Sequence, residues 1–188
     1  MSTIASTSPA DRNSLLRSSV IGGLIIGTAD AIIYHWFVSS VLGGYPLISV
    51  FQYIASGALG ESAFAGGIAT ALLGVLCHFL ISIVIAGVFI LSASRIPLLR
   101  RYAIAGSLLY GFGVFIVMNM VVTPLSATPP LPASTIPWLI EGILEHILVV
   151  GLPLGILVRQ YANTNQQVLH QESAKPSSTD EMLLLVSC

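Results

Sequence analysis

Charged residues are scarce in this sequence. Lys, Arg, Asp and Glu together make up 8% of its 188 residues, whereas hydrophobic residues make up 55% and the mean hydropathy is +0.91. A soluble domain has about a quarter of its residues charged, so water is not the main solvent of this chain. The net charge of −1 gives no attraction to nucleic acid, and the sequence lacks a basic patch with interleaved aromatic residues. The lipid bilayer is therefore the expected partner, and nucleic acid is not.

Cysteine is also too sparse for a disulfide framework. Cys77 lies inside an apolar run and Cys188 is the last residue, so the pair cannot form the network that stabilises small secreted proteins. Alternating strands of about ten residues, which mark a transmembrane barrel, are missing as well. Because the backbone in lipid must satisfy its own hydrogen bonds, any membrane span of this chain is expected to be a helix.

Four apolar stretches without Lys or Arg are long enough to cross about 30 Å of hydrocarbon at about 1.5 Å per residue. They cover residues 20–42, 68–94, 102–122 and 138–158. The sequence predicts an all-α membrane protein in which a four-helix transmembrane bundle occupies residues 20–159. Residues 1–19 are expected to be a cytoplasmic polar leader. Residues 160–188 are expected to be a disordered cytoplasmic tail, because they lack the hydrophobicity to form a core.

The basic residues predict the orientation of the chain. All seven lie before the first span, between the second and third, or after the fourth: Arg12, Arg17, Arg95, Arg100, Arg101, Arg159 and Lys175. With four spans these three places share one face of the membrane, and the positive-inside rule makes that face cytoplasmic. Both termini are therefore expected in the cytoplasm.

A short segment in the first outer loop, residues 46–59, has apolar residues at helical spacing. Leu47, Phe51, Ile54 and Ala58 form this stripe, and the segment is too short to span a membrane. We expect a short interfacial or re-entrant helix that caps the outer end of the bundle. A packed loop is the alternative.

Polar and ionisable side chains are numerous in the predicted spans. A central Asp, Lys or Arg costs about 2.5 to 3.5 kcal/mol in a membrane helix, so such residues are rare without a function. Counted along the helices from the nearest arginine, they lie about 19 to 27 Å from the inner face. They therefore predict a layer for proton or ion relay in the outer half of the bundle. The candidates are Asp30, His35, His78, Asn119, Glu141, Glu145 and His146.

The last span contributes two carboxylates to this layer. Glu141 and Glu145 are four residues apart and so share one face of the helix, while the side chain of His146 points about 100° away from that of Glu145. Two carboxylates so close in a low-dielectric setting repel each other when both are ionised. Glu145 is the deeper of the two, and its protonation is expected to matter most.

Three functions fit such a layer. The first is proton-coupled transport or ion permeation by a homo-oligomer, without a cofactor. The second is a redox protein that binds a metal or a b-type haem, with two of His35, His78 and His146 as haem ligands. The third is a non-catalytic component of membrane assembly or stress resistance. The sequence has no Ser/His/Asp arrangement or nucleotide-binding fingerprint of useful specificity, so it names no catalytic residue.

Three stretches resemble small bacterial inner-membrane proteins of unknown function. They are QYIASGALGESAFAGGIATALLGVLCHFLIS at 52–82, YGFGVFIVMNMVVTPLS at 110–126 and GTAD at 27–30. The nearest named group is the YagU-like proteins. The resemblance implies a location in the bacterial plasma membrane, and it supplies neither an activity nor catalytic residues.

Overall fold

The computed structural model describes residues 9–41, 46–129 and 136–160, and every element within them is a helix. A 3₁₀ segment, Gly60–Ala65, links the second helix to the third, and a single turn, Pro97–Arg101, links the third to the fourth. The five main helices are α1 Pro9–Val41, α2 Leu47–Leu59, α3 Gly67–Arg95, α4 Ala103–Leu125 and α5, residues 136–160.

Four of these helices are long and apolar enough to cross a membrane. The qualifying segments are Asn13–Tyr34, Gly67–Arg95, Ala103–Leu125 and Trp138–Gln160. The prediction of four apolar helices is confirmed, and the third helix differs from the predicted span 68–94 by one residue at each end. Of the predicted tail, residues 161–188 lie outside the described part of the chain, as do residues 1–8 of the predicted leader.

The first helix begins earlier than the sequence predicted. It starts at Pro9, so that residues 9–19 of the predicted polar leader are helical. Proline is favourable in the first turn of a helix because the N–H that it lacks has no partner there. No glycine or further proline interrupts residues 10–21, so the helix continues without a break from the polar leader into the apolar span.

Two helices contain a wide π-helical turn. It covers Met118–Val122 in α4 and His146–Gly151 in α5. Each turn ends two residues before a proline, Pro124 or Pro153. A proline inside a helix lacks an N–H and its ring clashes with the carbonyl group four residues earlier, and a wider turn relieves that clash. Pro124, two residues beyond the predicted third span 102–122, thus lies in the last turn of α4.

Small residues let the helices approach closely. A Cβ atom on Gly23 would collide with the backbone of Ile83, so α1 and α3 are nearly in backbone contact there. A Cβ atom on Gly151 would lie 2.6 Å from the carbonyl oxygen of Ser107, which brings α5 equally close to α4. Such contacts are typical of helices that associate in membranes.

The apolar core fills the half of the structure nearer to Arg95 and Arg159. The ring of Phe89 in this core lies 5.1 Å from the ring of Tyr110, centre to centre, and the Tyr110 hydroxyl donates a hydrogen bond to the carbonyl oxygen of Ile85. The polar residues of the predicted layer lie beyond this core. The buried members of the apolar core are Ile26, Ala86, Phe89, Ile90, Ala93, Ala103, Val150, Leu154 and Val158.

The helix predicted in the first outer loop is present, but it presents its polar face to the protein. Gln52 is 6% exposed, and its Nε2 donates a hydrogen bond of 3.1 Å to the carbonyl oxygen of Gly67. Ser56 is fully buried, whereas Leu47 is 45% exposed. Of the predicted apolar stripe, Phe51 contacts α3 whereas Leu47 and Ala58 are exposed, because the polar side chains find their hydrogen-bond partners on the side that faces the protein.

Helix α2 runs antiparallel to α3. The backbone of Phe51 lies against Gly74, and its ring meets the ring of His78 edge-on at 6.1 Å. At the other end of α2, the amide of Ala127 donates a hydrogen bond to the carbonyl oxygen of Gly57. His78 is eleven residues into α3, or about 16 Å along its axis. The first half of α2 thus reaches the level of the polar layer.

Candidate functional site

Three carboxyl groups meet between α1 and α5. The side chain of Glu145 lies within hydrogen-bonding reach of Asp30 on α1 and of Glu141 one turn away on α5. Two carboxyl groups form a hydrogen bond only when a proton lies between them. We call these three residues the carboxyl cluster, and Glu145 is its middle member.

Glu145 is the most buried acid of the carboxyl cluster. The residue is 6% exposed, and the Oε1 atoms of both Glu145 and Glu141 are buried without a hydrogen-bond partner. A buried polar atom without a partner costs about 1 to 3 kcal/mol. The cluster therefore has free capacity for a proton or for a positively charged ligand.

His78 connects α3 to the carboxyl cluster. Its Nε2 atom lies 2.8 Å from the carbonyl oxygen of Gly27 and 3.9 Å from Oδ2 of Asp30. A carbonyl oxygen only accepts hydrogen bonds, so Nε2 carries the hydrogen atom. The rings of Phe51 and Phe79 meet the imidazole edge-on at 6.1 and 5.4 Å. These contacts hold the imidazole in a fixed orientation beside Asp30.

His146 lies beside the carboxyl cluster, on the side of α4. Its Nδ1 donates a 2.8 Å hydrogen bond to the carbonyl oxygen of Gly142, which leaves Nε2 as an acceptor. The ring meets Phe115 of α4 edge-on at 5.6 Å. His146 is also the first residue of the wide turn in α5. His146 is also close enough to Asp30 to interact with it electrostatically.

One of the predicted layer residues, Asn119, is not part of this group. Asn119 is exposed, and its Nδ2 donates a hydrogen bond of 2.9 Å to the carbonyl oxygen of Phe115, four residues earlier in its own helix. The backbone of His35 belongs to α1, but its side chain lies outside the described part of the structure. Of the seven residues predicted from the sequence, five therefore come together.

Tyr34 is a member of the site that the sequence analysis did not include among its candidates. Its ring lies 6.3 Å from the ring of Trp138, which connects the C-terminal part of α1 with the N-terminal part of α5, and its hydroxyl group is close enough to Glu141 and Glu145 to interact with them electrostatically. The signal was its position four residues after Asp30, on the same face of the helix.

An apolar groove opens between α1 and α5 next to the carboxyl cluster. Its volume is about 850 Å³, and Glu141 and Glu145 are the charged residues that line it. In the N-terminal half of α1, Gly22 packs near Leu154 of α5, so the two helices separate only beyond that contact. The apolar lining residues include Ala29, Ile33, Trp36, Leu144 and Leu148.

The described residues do not support a metal site with three or more protein ligands. Among residues 9–41, 46–129 and 136–160, no set of three His, Cys, Asp or Glu side chains is arranged to hold a metal ion. A haem needs only two axial ligands, so this finding does not test the haem hypothesis, which stays a prediction.

Comparison of the chain with protein-family models, with curated proteins and with solved structures returns no match. The resemblance to YagU-like proteins therefore stays a prediction. Function has to be argued from the geometry and chemistry of the site, because a fold by itself does not define a function.

Proposed function

We propose that this chain is a multi-pass protein of the bacterial plasma (inner) membrane, related to the YagU-like proteins, with both termini in the cytoplasm. Four helices that are long and apolar enough to span a membrane support this proposal. The inward polar face of α2 supports it too, because Gln52 and Ser56 are buried while Leu47 and Leu59 are exposed. A helix with its polar face toward the protein suits apolar surroundings, and the depth that α2 reaches along α3 favours a re-entrant segment.

Within that membrane the proposed function is proton-coupled transport. The observation that carries the proposal is a string of proton-exchanging groups that crosses three helices, from His78 on α3 to Asp30 on α1 and to Glu145 and Glu141 on α5. Carboxylates and histidines in contact within a helix bundle are the groups that relay protons through lipid.

The contacts also define how a proton would move along this string. A proton on Glu141 would pass to Glu145 and then to Asp30, because these carboxyl groups lie within reach of one another. Asp30 is the counter-charge of His78 when the imidazole gains a second proton, since their atoms are 3.9 Å apart. Every step moves one proton between neighbouring side chains, so the total charge of the string changes only when a proton enters or leaves it.

The packing favours a transport cycle over an open pore. Ile26, Phe89 and Leu154 are at most 2% exposed and lie between the carboxyl cluster and the arginines at the other end of the helices. A tightly packed apolar core leaves no room for a continuous file of water. Passage to the other side therefore requires the helices to move, and the wide turns that contain His146 and Asn119 are places where a helix can adjust. A homo-oligomer is part of the proposal, because four helices alone make a narrow pathway.

Flux measurements in liposomes test this function. The wild-type protein, Glu145→Gln and Glu61→Gln are reconstituted with a pH-sensitive dye inside the vesicles, and a potassium diffusion potential drives proton entry. We expect proton flux for the wild type, little or none for Glu145→Gln, and normal flux for Glu61→Gln. Glu61 is the matched control because it is exposed on the 3₁₀ segment, outside the carboxyl cluster.

Each result has a definite meaning. Glutamine keeps the shape and hydrogen-bonding capacity of glutamate but does not titrate, so a selective loss in Glu145→Gln supports the relay. Equal flux in that variant would falsify the role of Glu145. The absence of flux in the wild-type protein would contradict the transport function and favour a structural role for the polar layer.

A further inference from the structure

We propose that the groove between α1 and α5 binds lipophilic organic cations, such as aryl or alkyl ammonium and phosphonium ions, with Glu145 and Glu141 as their counter-charges. This inference rests on the proposed transport function and names its substrate class. Glu145 is 6% exposed, lines the groove and has an oxygen atom without a hydrogen-bond partner.

Charge complementarity identifies the occupant as a cation. The described groups around Glu145 that carry or exchange charge are Asp30 and Tyr34 on α1, His78 on α3, and Glu141 and His146 on α5. No lysine or arginine is among them. The nearest arginines along α1 and α5 precede Asp30 by 13 residues and follow Glu145 by 14, or about 20 Å along the helix. Within the described residues, the buried oxygens of the cluster thus have no permanent positive charge beside them.

The lining of the groove favours a large apolar cation over a metal ion. Sodium, potassium and divalent ions need several oxygen ligands in a closed shell, and the described residues contain no such set around a metal ion. The groove offers two carboxyl groups on apolar walls, and its volume of about 850 Å³ lies in the range of sites for drug-sized molecules. Trp36, which lines it, is 67% exposed and presents a ring for cation–π contact.

Exchange with a proton follows from the same geometry. When a monovalent cation enters, its charge can replace one proton of the carboxyl cluster, which leaves through the string toward His78 or toward Glu141. One positive charge enters and one leaves, so the cluster keeps its total charge. A bound cation and a shared proton would then compete for the same carboxyl oxygens, which is the coupling that proton-driven export requires.

Equilibrium dialysis of the purified full chain in detergent tests this inference, with tetraphenylphosphonium as the probe. We expect saturable binding by the wild type and by Glu61→Gln, and at least tenfold weaker binding by Glu145→Gln. Ala29→Phe, which places a ring in the groove without a change of charge, is expected to weaken binding as well. Triphenylphosphine oxide, an apolar aryl compound without charge, is the control ligand and should not compete.

The outcomes separate this inference from the proposed function. Equal binding by Glu145→Gln, or full competition by the neutral compound, would mean that the groove binds apolar molecules such as lipid chains regardless of charge. Either result would overturn the inference. An absence of binding together with a dimer that Ala29→Phe breaks would assign the groove to a second copy and also overturn it. Proton flux without cation binding defeats only this inference, whereas charge-dependent binding without proton flux defeats only the proton-coupled function.

Discussion

Glu145 of α5 faces Asp30 of α1 within hydrogen-bonding reach, although the two residues are 115 positions apart in the sequence. The contact joins two helices that otherwise separate around the groove. It also makes each carboxyl group depend on the protonation of the other, which is the property that a relay needs.

A double-mutant cycle should detect this contact. Asp30→Asn and Glu145→Gln each remove the interaction in which the two carboxyl groups share a proton. The double variant loses this interaction only once, because either single substitution already removes it. We expect the double variant to be less destabilised than the sum of the singles, by about 0.5 to 3 kcal/mol. Thermal unfolding in detergent provides the measurement. The pair Asp30→Asn and Glu61→Gln is the control and should be additive; additivity in both pairs would contradict the contact.

The close approach of α1 and α3 predicts an intolerant glycine. Gly23→Ala places a methyl group against the backbone of Ile83, and such overpacking costs about 1 to 3 kcal/mol. Gly113→Ala is the matched control, because its Cβ atom would have no neighbour within 4 Å and alanine favours a helix by about 1 kcal/mol. We expect a lower melting temperature for the first variant and an unchanged or higher one for the second. The opposite order would show that α1 and α3 do not pack at Gly23.

Much of the helical architecture could be predicted from the sequence, because length and hydropathy alone define a membrane-spanning helix. The third helix matched within one residue at each end, since Gly67 and Arg95 mark its limits clearly. The start of the first helix was missed because residues 10–21 contain no helix-breaking residue at the change from polar to apolar composition. The wide turns have a visible cause in Pro124 and Pro153, but the sequence analysis did not connect these prolines with the helices around them.

The heights of the site residues along their helices could be predicted from the sequence, but the directions in which their side chains point could not. Counting residues along each helix placed Asp30, His78 and Glu145 at similar heights, and the contacts among them agree with that estimate. The same count placed Asn119 in the layer, but the rotation of α4 turns its side chain outward. For α2 the sequence predicted a short helix but not which of its faces contacts the protein; in the structure Gln52 turns inward and finds its hydrogen-bond partner there.

The histidine geometry predicts that the purified protein is colourless. Nε2 of His78 is held by the carbonyl oxygen of Gly27, so haem ligation through this atom would break an existing hydrogen bond, whereas the free Nε2 of His146 supplies only one of the two axial ligands that a bis-histidine haem needs. Protein produced in haem-replete cells should show no Soret band before or after incubation with haemin. A stoichiometric Soret band that disappears in His78→Ala would instead support the haem alternative and contradict the proposed relay.

The proposed orientation can be tested with reporter fusions. The basic residues lie before the first span, between the second and third, and after the fourth, which predicts cytoplasmic termini. Alkaline phosphatase, which is active only in the periplasm, should be active when fused after Tyr45 or Pro130 and inactive after Ile96 or Tyr161. Activity at either of the last two positions would reverse or rearrange the topology.

Gln52 provides the sharpest test of the inverted α2 helix. Gln52→Leu would be harmless or stabilising if α2 packed through its apolar stripe, because leucine adds apolar area. In the observed arrangement it removes the hydrogen bonds from Nε2 to Gly67 and Thr70 and puts an apolar side chain against these polar groups, at a cost of about 1 kcal/mol. We therefore expect a lower melting temperature in detergent for Gln52→Leu, and little change for Leu47→Ala on the exposed face. A stable Gln52→Leu protein with a destabilised Leu47→Ala protein would mean that α2 packs through its apolar stripe.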